Sequence, residues 1–190
     1  MCKRIFILVC IMCAVTTWPS WSQTRGTQQQ IERGISLYNY GHCVEARAEL
    51  LAARAKLSHV TDSHSIERID YYLALCDTEL KLQDAEGRLR HFLKQYQGST
   101  YSNEVQFNIA TLVCMGDDNA LSEEELKKVN YKTLSPSQRE KYDLRRGYLA
   151  FMNGDYDTAE SYLSRITSKG EYADHATYYK SYMADRRAHV

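Results

Sequence analysis

Gly154-Asp155-Tyr156-Asp157-Thr158-Ala159 echoes Gly41-His42-Cys43-Val44-Glu45-Ala46, and the rest of the fold follows from that pair. In each copy a glycine and a short polar step lead to an alanine five residues on, and a further glycine stands seven residues upstream, Gly147 and Gly34. The copies are 113 residues apart, or three periods of about 38. A second echo, Ile69-Asp70-Tyr71-Tyr72-Leu73-Ala74 against Ala176-Thr177-Tyr178-Tyr179-Lys180-Ser181, has an offset of 107, three periods of about 36. Between them, Asp84-Ala85-Glu86 and Gly116-Asp117-Asp118-Asn119-Ala120 read as shortened versions of the same turn.

Within each period the apolar residues recur three and four apart, which is helical spacing. After Asp84 they are Ala85, Leu89, Phe92, Leu93 and Tyr96; after Asp155 they are Tyr156, Ala159, Tyr162, Leu163 and Ile166. Ser135-Pro136-Ser137-Gln138 places a hydroxyl cap before a proline whose missing N–H is harmless at the first helical position. Ser122-Glu123-Glu124-Glu125 reads as a capping box, with Leu121 stapled onto Leu126 and the acidic run in a dipole-stabilised first turn. The expected helix pairs are 28–40 with 44–57, 64–82 with 84–97, 102–115 with 121–129 and 136–153 with 155–167, followed by an unpaired helix over 171–186.

These features resemble the tetratricopeptide repeat family, whose units are helix pairs of about 34 residues. Gly147, Gly154, Tyr156, Ala159, Leu163 and Ile166 match its pattern, as do Gly34, Gly41, Ala46, Leu50 and Ala53, with Cys43 in place of the tyrosine. The resemblance implies an all-α fold, a right-handed superhelical α-solenoid of antiparallel helix pairs whose first helices line a concave groove. It implies a binding scaffold, and the residues expected in the groove are Tyr38, Asp70, Asp77, Phe107, Tyr148 and Phe151. One subset of the family grips a terminal carboxylate with lysine and asparagine. The matching positions hold Ile31, Ile35, Asp70, Ala74, Phe107, Thr111, Leu144 and Tyr148, so that clamp is not expected.

The chain of 190 residues carries 24 basic and 24 acidic side chains, so no basic footprint points to nucleic acid. Fifteen tyrosines and only two prolines suit packed helices. Met1-Cys2-Lys3-Arg4, the apolar run from Ile5 to Val15 and the small residues Ser20 and Ser22 read as a secretory signal over 1–22, cleaved after Ser22. The run is shorter than the ~20 apolar residues that span a bilayer, and no later stretch is longer, so no membrane span is expected in the mature chain of 23–190. Cys43, Cys76 and Cys114 remain after cleavage, an odd number without close spacing, and read as buried thiols.

An exported chain with slightly long repeats is similar to the tetratricopeptide proteins of Gram-negative envelopes. That similarity implies a periplasmic location, with the periphery of the outer membrane as one place for it, and a non-catalytic adaptor that holds a protein partner. No cofactor or metal is expected, since the six histidines are scattered and only His59 and His64 share a loop. No nucleophile elbow, phosphate loop or dinucleotide motif is present. An alternative, a helical-array hydrolase, would have to use Asp70 with Asp77, two turns apart on one helix. The last helix carries an apolar stripe of Ala176, Tyr179, Tyr182 and Met183, which suggests either the front part of a longer array without independent function or self-association through that helix.

Overall fold

The computed structural model describes residues 19–59 and 61–188. Among them are nine α-helices and no strand: α1 (Pro19–Asn39), α2 (Cys43–Arg54), α3 (Ser63–Glu79), α4 (Ala85–Gln95), α5 (Ser102–Val113), α6 (Asn119–Lys127), α7 (Pro136–Met152), α8 (Tyr156–Leu163) and α9 (Glu171–Ala188). No helix among the described residues is long and apolar enough to cross a membrane. The apolar run Ile5–Val15 lies outside the described residues. Helix α1 begins at Pro19 rather than near residue 28, and so runs through the expected cleavage point after Ser22.

The helices fall into two compact units, divided between Arg88 and Leu89 inside α4. In the first unit α1 packs on α2, α2 on α3, and α1 also reaches α3. Its core is formed by Ile31, Ile35, Cys43, Ala46, Leu50, Ala53, Ile69, Leu73 and Cys76. In the second unit α5 packs on α6, α6 on α7 and α7 on α8, and α9 packs against both α7 and α8. Apolar clusters within it centre on Phe107, Leu126 and Tyr142, and on Ala159, Leu163, Ile166, Ala176 and Met183.

One close approach recurs. A Cβ on Gly34 would stand 2.8 Å from Leu50 Cγ, and one on Gly147 would stand 2.6 Å from Leu163 Cγ, so each glycine lets two paired helices meet without a side chain between them. A small residue followed four positions later by leucine is buried in four of the helices: Ala46 and Leu50 in α2, Ala85 and Leu89 in α4, Ser122 and Leu126 in α6, Ala159 and Leu163 in α8. In the third of these the buried small residue is Ser122, whereas the expected Ala120 is exposed.

The turns explain the shift. Gly41 and Gly154 close their helices in the left-handed region, at φ 82° and 75°. Gly41 N–H donates to Tyr38 O (2.8 Å) and His42 N–H to Leu37 O (2.9 Å). Gly154 N–H donates to Phe151 O (3.0 Å) and Asp155 N–H to Ala150 O (2.9 Å), the same Schellman closure. Lys81, at φ 53°, makes the same turn after α3, its N–H donating to Thr78 O (3.0 Å) while Leu82 N–H donates to Asp77 O (3.0 Å). At Gly116 the left-handed step is absent. There Asp118 caps α6, its Oδ1 accepting from Leu121 N–H at 2.9 Å.

That cap corrects the expected capping box at Ser122. With α6 starting at Asn119, the acidic run is mid-helix, Glu123 and Glu124 pair with Lys127 (3.0 Å) and Lys128 (2.9 Å) one turn on, and Leu121 is exposed. The box at Ser135 does form, with Ser135 Oγ accepting from Gln138 N–H (3.3 Å) and Gln138 Oε1 accepting from Ser135 N–H (2.9 Å).

Two expectations follow. Gly147→Ala should lower the unfolding free energy by about 1–3 kcal/mol through overpacking against Leu163, although alanine is the better helix former by about 1 kcal/mol; urea unfolding of both proteins measures the difference. Lys81→Gly should act the other way and raise stability by roughly 0.5–1 kcal/mol, because the relief of a left-handed lysine exceeds the added freedom of the unfolded chain.

Candidate functional site

The residues expected in the groove and on the apolar stripe of the last helix divide into three groups. Asp77, Phe107 and Met183 are buried and unavailable to a ligand, which corrects their assignment. Asp77 lies wholly inside the first unit, 2.8 Å from Arg47 Nε and 2.8 Å from Arg88 Nε. Phe107 is a core residue of the second unit, and Met183 packs with Ala159, Leu163 and Ala176. The apolar stripe of α9 is thus partly consumed by the preceding pair, because α9 lies against both α7 and α8. Of its large side chains, Tyr178 and Tyr182 stay exposed.

Tyr38 and Asp70 form a second group, both half-buried and both already engaged. Tyr38 stands edge-to-face with Tyr72 at 5.5 Å, and Asp70 accepts from Arg54 Nε at 2.9 Å. Asp70 and Asp77 are engaged separately, Asp70 by Arg54 and Asp77 by Arg47 and Arg88. Ile31, Ile35, Ala74, Phe107 and Thr111, at positions where a carboxylate clamp would sit, are buried. Arg54 Nη2 also lies 2.9 Å from His59 Nε2, and among the described residues no group of three His, Cys, Asp or Glu side chains is placed to hold a metal ion.

The third group, Tyr148, Phe151, Tyr179 and Tyr182, comes together in the second unit. Ring centroids are 5.6 Å apart for Tyr148 and Tyr179, 5.2 Å for Phe151 and Tyr179 and 5.4 Å for Phe151 and Tyr182. Beside them α7 and α9 enclose a cleft of about 220 Å³, lined by Lys141, Leu144, Arg145, Tyr148, Tyr172 and Tyr179, with Glu171 and His175 on its α9 side. Burial, followed by the neighbouring phenols Tyr148 and Tyr178, pushes the Tyr179 hydroxyl above the ordinary tyrosine value, so it stays a donor at neutral pH.

Arg145 has no ion pair among the described residues. Its neighbour Arg146 is differently placed, lying 5.3 Å from the Tyr162 ring centroid and 3.8 Å from Glu123 Oε1. The two arginines are adjacent in the chain, and helix phase separates them, turning one into the cleft and the other onto α6 and α8. Lys141, Arg145, Tyr172 and His175 were not foreseen as a cluster. Their four- and three-residue spacings on α7 and α9 were visible, but the pairing of those two helices was not.

Two further acids are buried in the second unit. Burial would raise the Glu125 carboxyl, but hydrogen bonds from Gln106 (2.7 Å), Arg90 (3.0 Å) and Lys128 (3.2 Å) outweigh it and hold the group below its usual value. Asp143 goes the other way. Burial raises it despite a 2.7 Å bond from the Tyr131 hydroxyl, and Arg165 Nη1 stands 3.6 Å from Oδ1.

Comparison with models of known families, with curated proteins and with solved structures finds no match to this chain.

The raised Asp143 carboxyl carries a signed expectation. Between the unfolded value near 3.8 and the raised folded value, the folded state holds more protons, so this group's contribution to stability falls as pH rises through that window. Asp143→Asn, which can still accept from Tyr131, should be neutral to about 1 kcal/mol stabilising at pH 7. The advantage should vanish towards pH 4, as urea titrations of both proteins across pH would read.

Proposed function

We propose that this chain is a tetratricopeptide-type helical-repeat scaffold, a non-catalytic adaptor that binds a segment of a partner protein. The observation that carries the reading is the repeated seam. Gly34 on Leu50 and Gly147 on Leu163 are the same contact, closed by the same pair of turn hydrogen bonds, 113 residues apart. Stacked repeats present extended surfaces, and such surfaces are used for binding.

The cleft between α7 and α9 is the part of that surface we assign to the partner. Tyrosine faces offer large contact area at low entropic cost. Arg145 adds a guanidinium that makes no ion pair among the described residues. A partner segment that brings an aromatic or aliphatic side chain and an acidic group fits this lining.

The basic, apolar start of the chain supports export, and with it an envelope location for the adaptor. The exposed Tyr178 and Tyr182 of α9 are the remaining candidates for self-association.

Affinity capture from the native envelope, with chemical crosslinking, tests the role. The unaltered chain should recover one dominant envelope protein, and Tyr148→Ala with Tyr179→Ala should reduce that recovery at least tenfold, as expected when two aromatic anchors are lost. Circular dichroism and thermal unfolding of the variant establish that its helices persist. Recovery that is unchanged by the double substitution would overturn the assignment of the cleft.

A further inference from the structure

Cys43 and Cys76 are 33 residues apart in the chain, about one repeat, and the fold brings them into one apolar cluster. Cys43 opens α2 and Cys76 lies in the last turn of α3. The two thiols lie within reach of one another, each bearing on the other's protonation. Neither is joined in a disulfide.

The neighbourhood is asymmetric. Cys76 is fully buried, whereas Cys43 is 8% exposed and lines an open cleft with Tyr38, His42, Glu79 and Leu80. The internal repeat adds a second observation. Tyr156 stands 113 residues after Cys43 and Met183 stands 107 after Cys76, the two offsets at which the chain echoes itself. Met183 is buried in a cluster of the second unit, and Tyr156 packs against that cluster. Where one end of the chain uses an aromatic ring and a thioether to fill the seam, the other has a thiol at both of the paired positions.

We propose that Cys43 and Cys76 are an oxidisable pair that forms a disulfide on meeting a small or protein disulfide donor, tying the start of α2 to the end of α3. The Cys43 thiolate attacks the donor's disulfide, forming a mixed disulfide and releasing one donor thiolate. The Cys76 thiolate then attacks the Cys43 sulfur, forming the intramolecular bond and releasing the second. Two cysteine thiols lose two protons and two electrons, and the donor disulfide is reduced to two thiols. The bond would bring the two sulfurs to about 2.05 Å.

The surroundings set the pace. Burial pushes both thiols up, Cys76 to about 12, with the charges of Glu79 and Glu45 adding to the effect at Cys43, and Asp77 opposed by Arg47 at Cys76. Thiolate is scarce at neutral pH, so the folded pair resists casual oxidation. This inference does not depend on the proposed adaptor role.

The test incubates the full chain with excess oxidised glutathione, blocks remaining thiols by alkylation in denaturant, and maps peptides by mass spectrometry. The expected product joins the Cys43 and Cys76 peptides, two hydrogens lighter than the sum, and unfolds at higher urea than the reduced chain. Cys114→Ser should give the same product. Cys76→Ala should instead retain glutathione on Cys43, since the resolving thiol is gone. Recovery of both cysteines as alkylated residues, or of Cys43 bonded to Cys114 or to a second chain, would overturn the proposal.

Discussion

The approach of a glycine in one helix to a leucine in its partner is the contact on which both units depend. At Gly34 and Gly147 the leucine carbons already stand where a Cβ would have to go. Leu50 and Leu163 are wholly buried there, and each contributes about 1.5–3 kcal/mol by removal from water. The neighbouring Ala46 and Ala159 are small for the same reason. A larger side chain at Gly34, Gly147, Ala46 or Ala159 would separate the helices and open the seam that the flanking Ile31, Ile35, Ile166 and Met183 close.

Around those seams, each unit hides carboxylates and answers them with side chains from neighbouring helices. Asp77 on α3 meets Arg47 on α2 and Arg88 on α4. Glu125 on α6 collects Gln106 from α5 and Arg90 from α4. Asp143 on α7 receives the Tyr131 hydroxyl. A buried ion pair adds little net stability against an apolar substitute, but loss of one partner is costly, so such groups penalise misregistered helix pairs.

The helical architecture was legible in the sequence because its signals are local. The 113-residue echo, the Ser135 cap with Pro136 and the Gly41 and Gly154 turns need only neighbouring residues to be read. What the sequence hid depends on packing between helices. Lys81 takes a left-handed turn position that is usually read from glycine, Ser122 replaces an expected alanine in the seam, and Asp118 displaces the cap by one turn. The site was less legible than the fold. Tyr148 and Tyr179 line one cleft, but Asp77 and Phe107 proved to be interior, since helical phase alone does not say which apolar or acidic face meets another helix and which meets water.

Within each unit, the packing of helices on near neighbours in the chain also bears on how the molecule is made. The bidentate bond from Arg68 to Glu32 spans 36 residues, and the Gly147 seam closes within a shorter stretch still. Contacts of such short range cost little loop-closure entropy, and chains built from them belong to the fast-folding class. A helix pair can bury its glycine–leucine seam once a few dozen residues have left the ribosome or a translocation channel, without waiting for the remainder of the polypeptide.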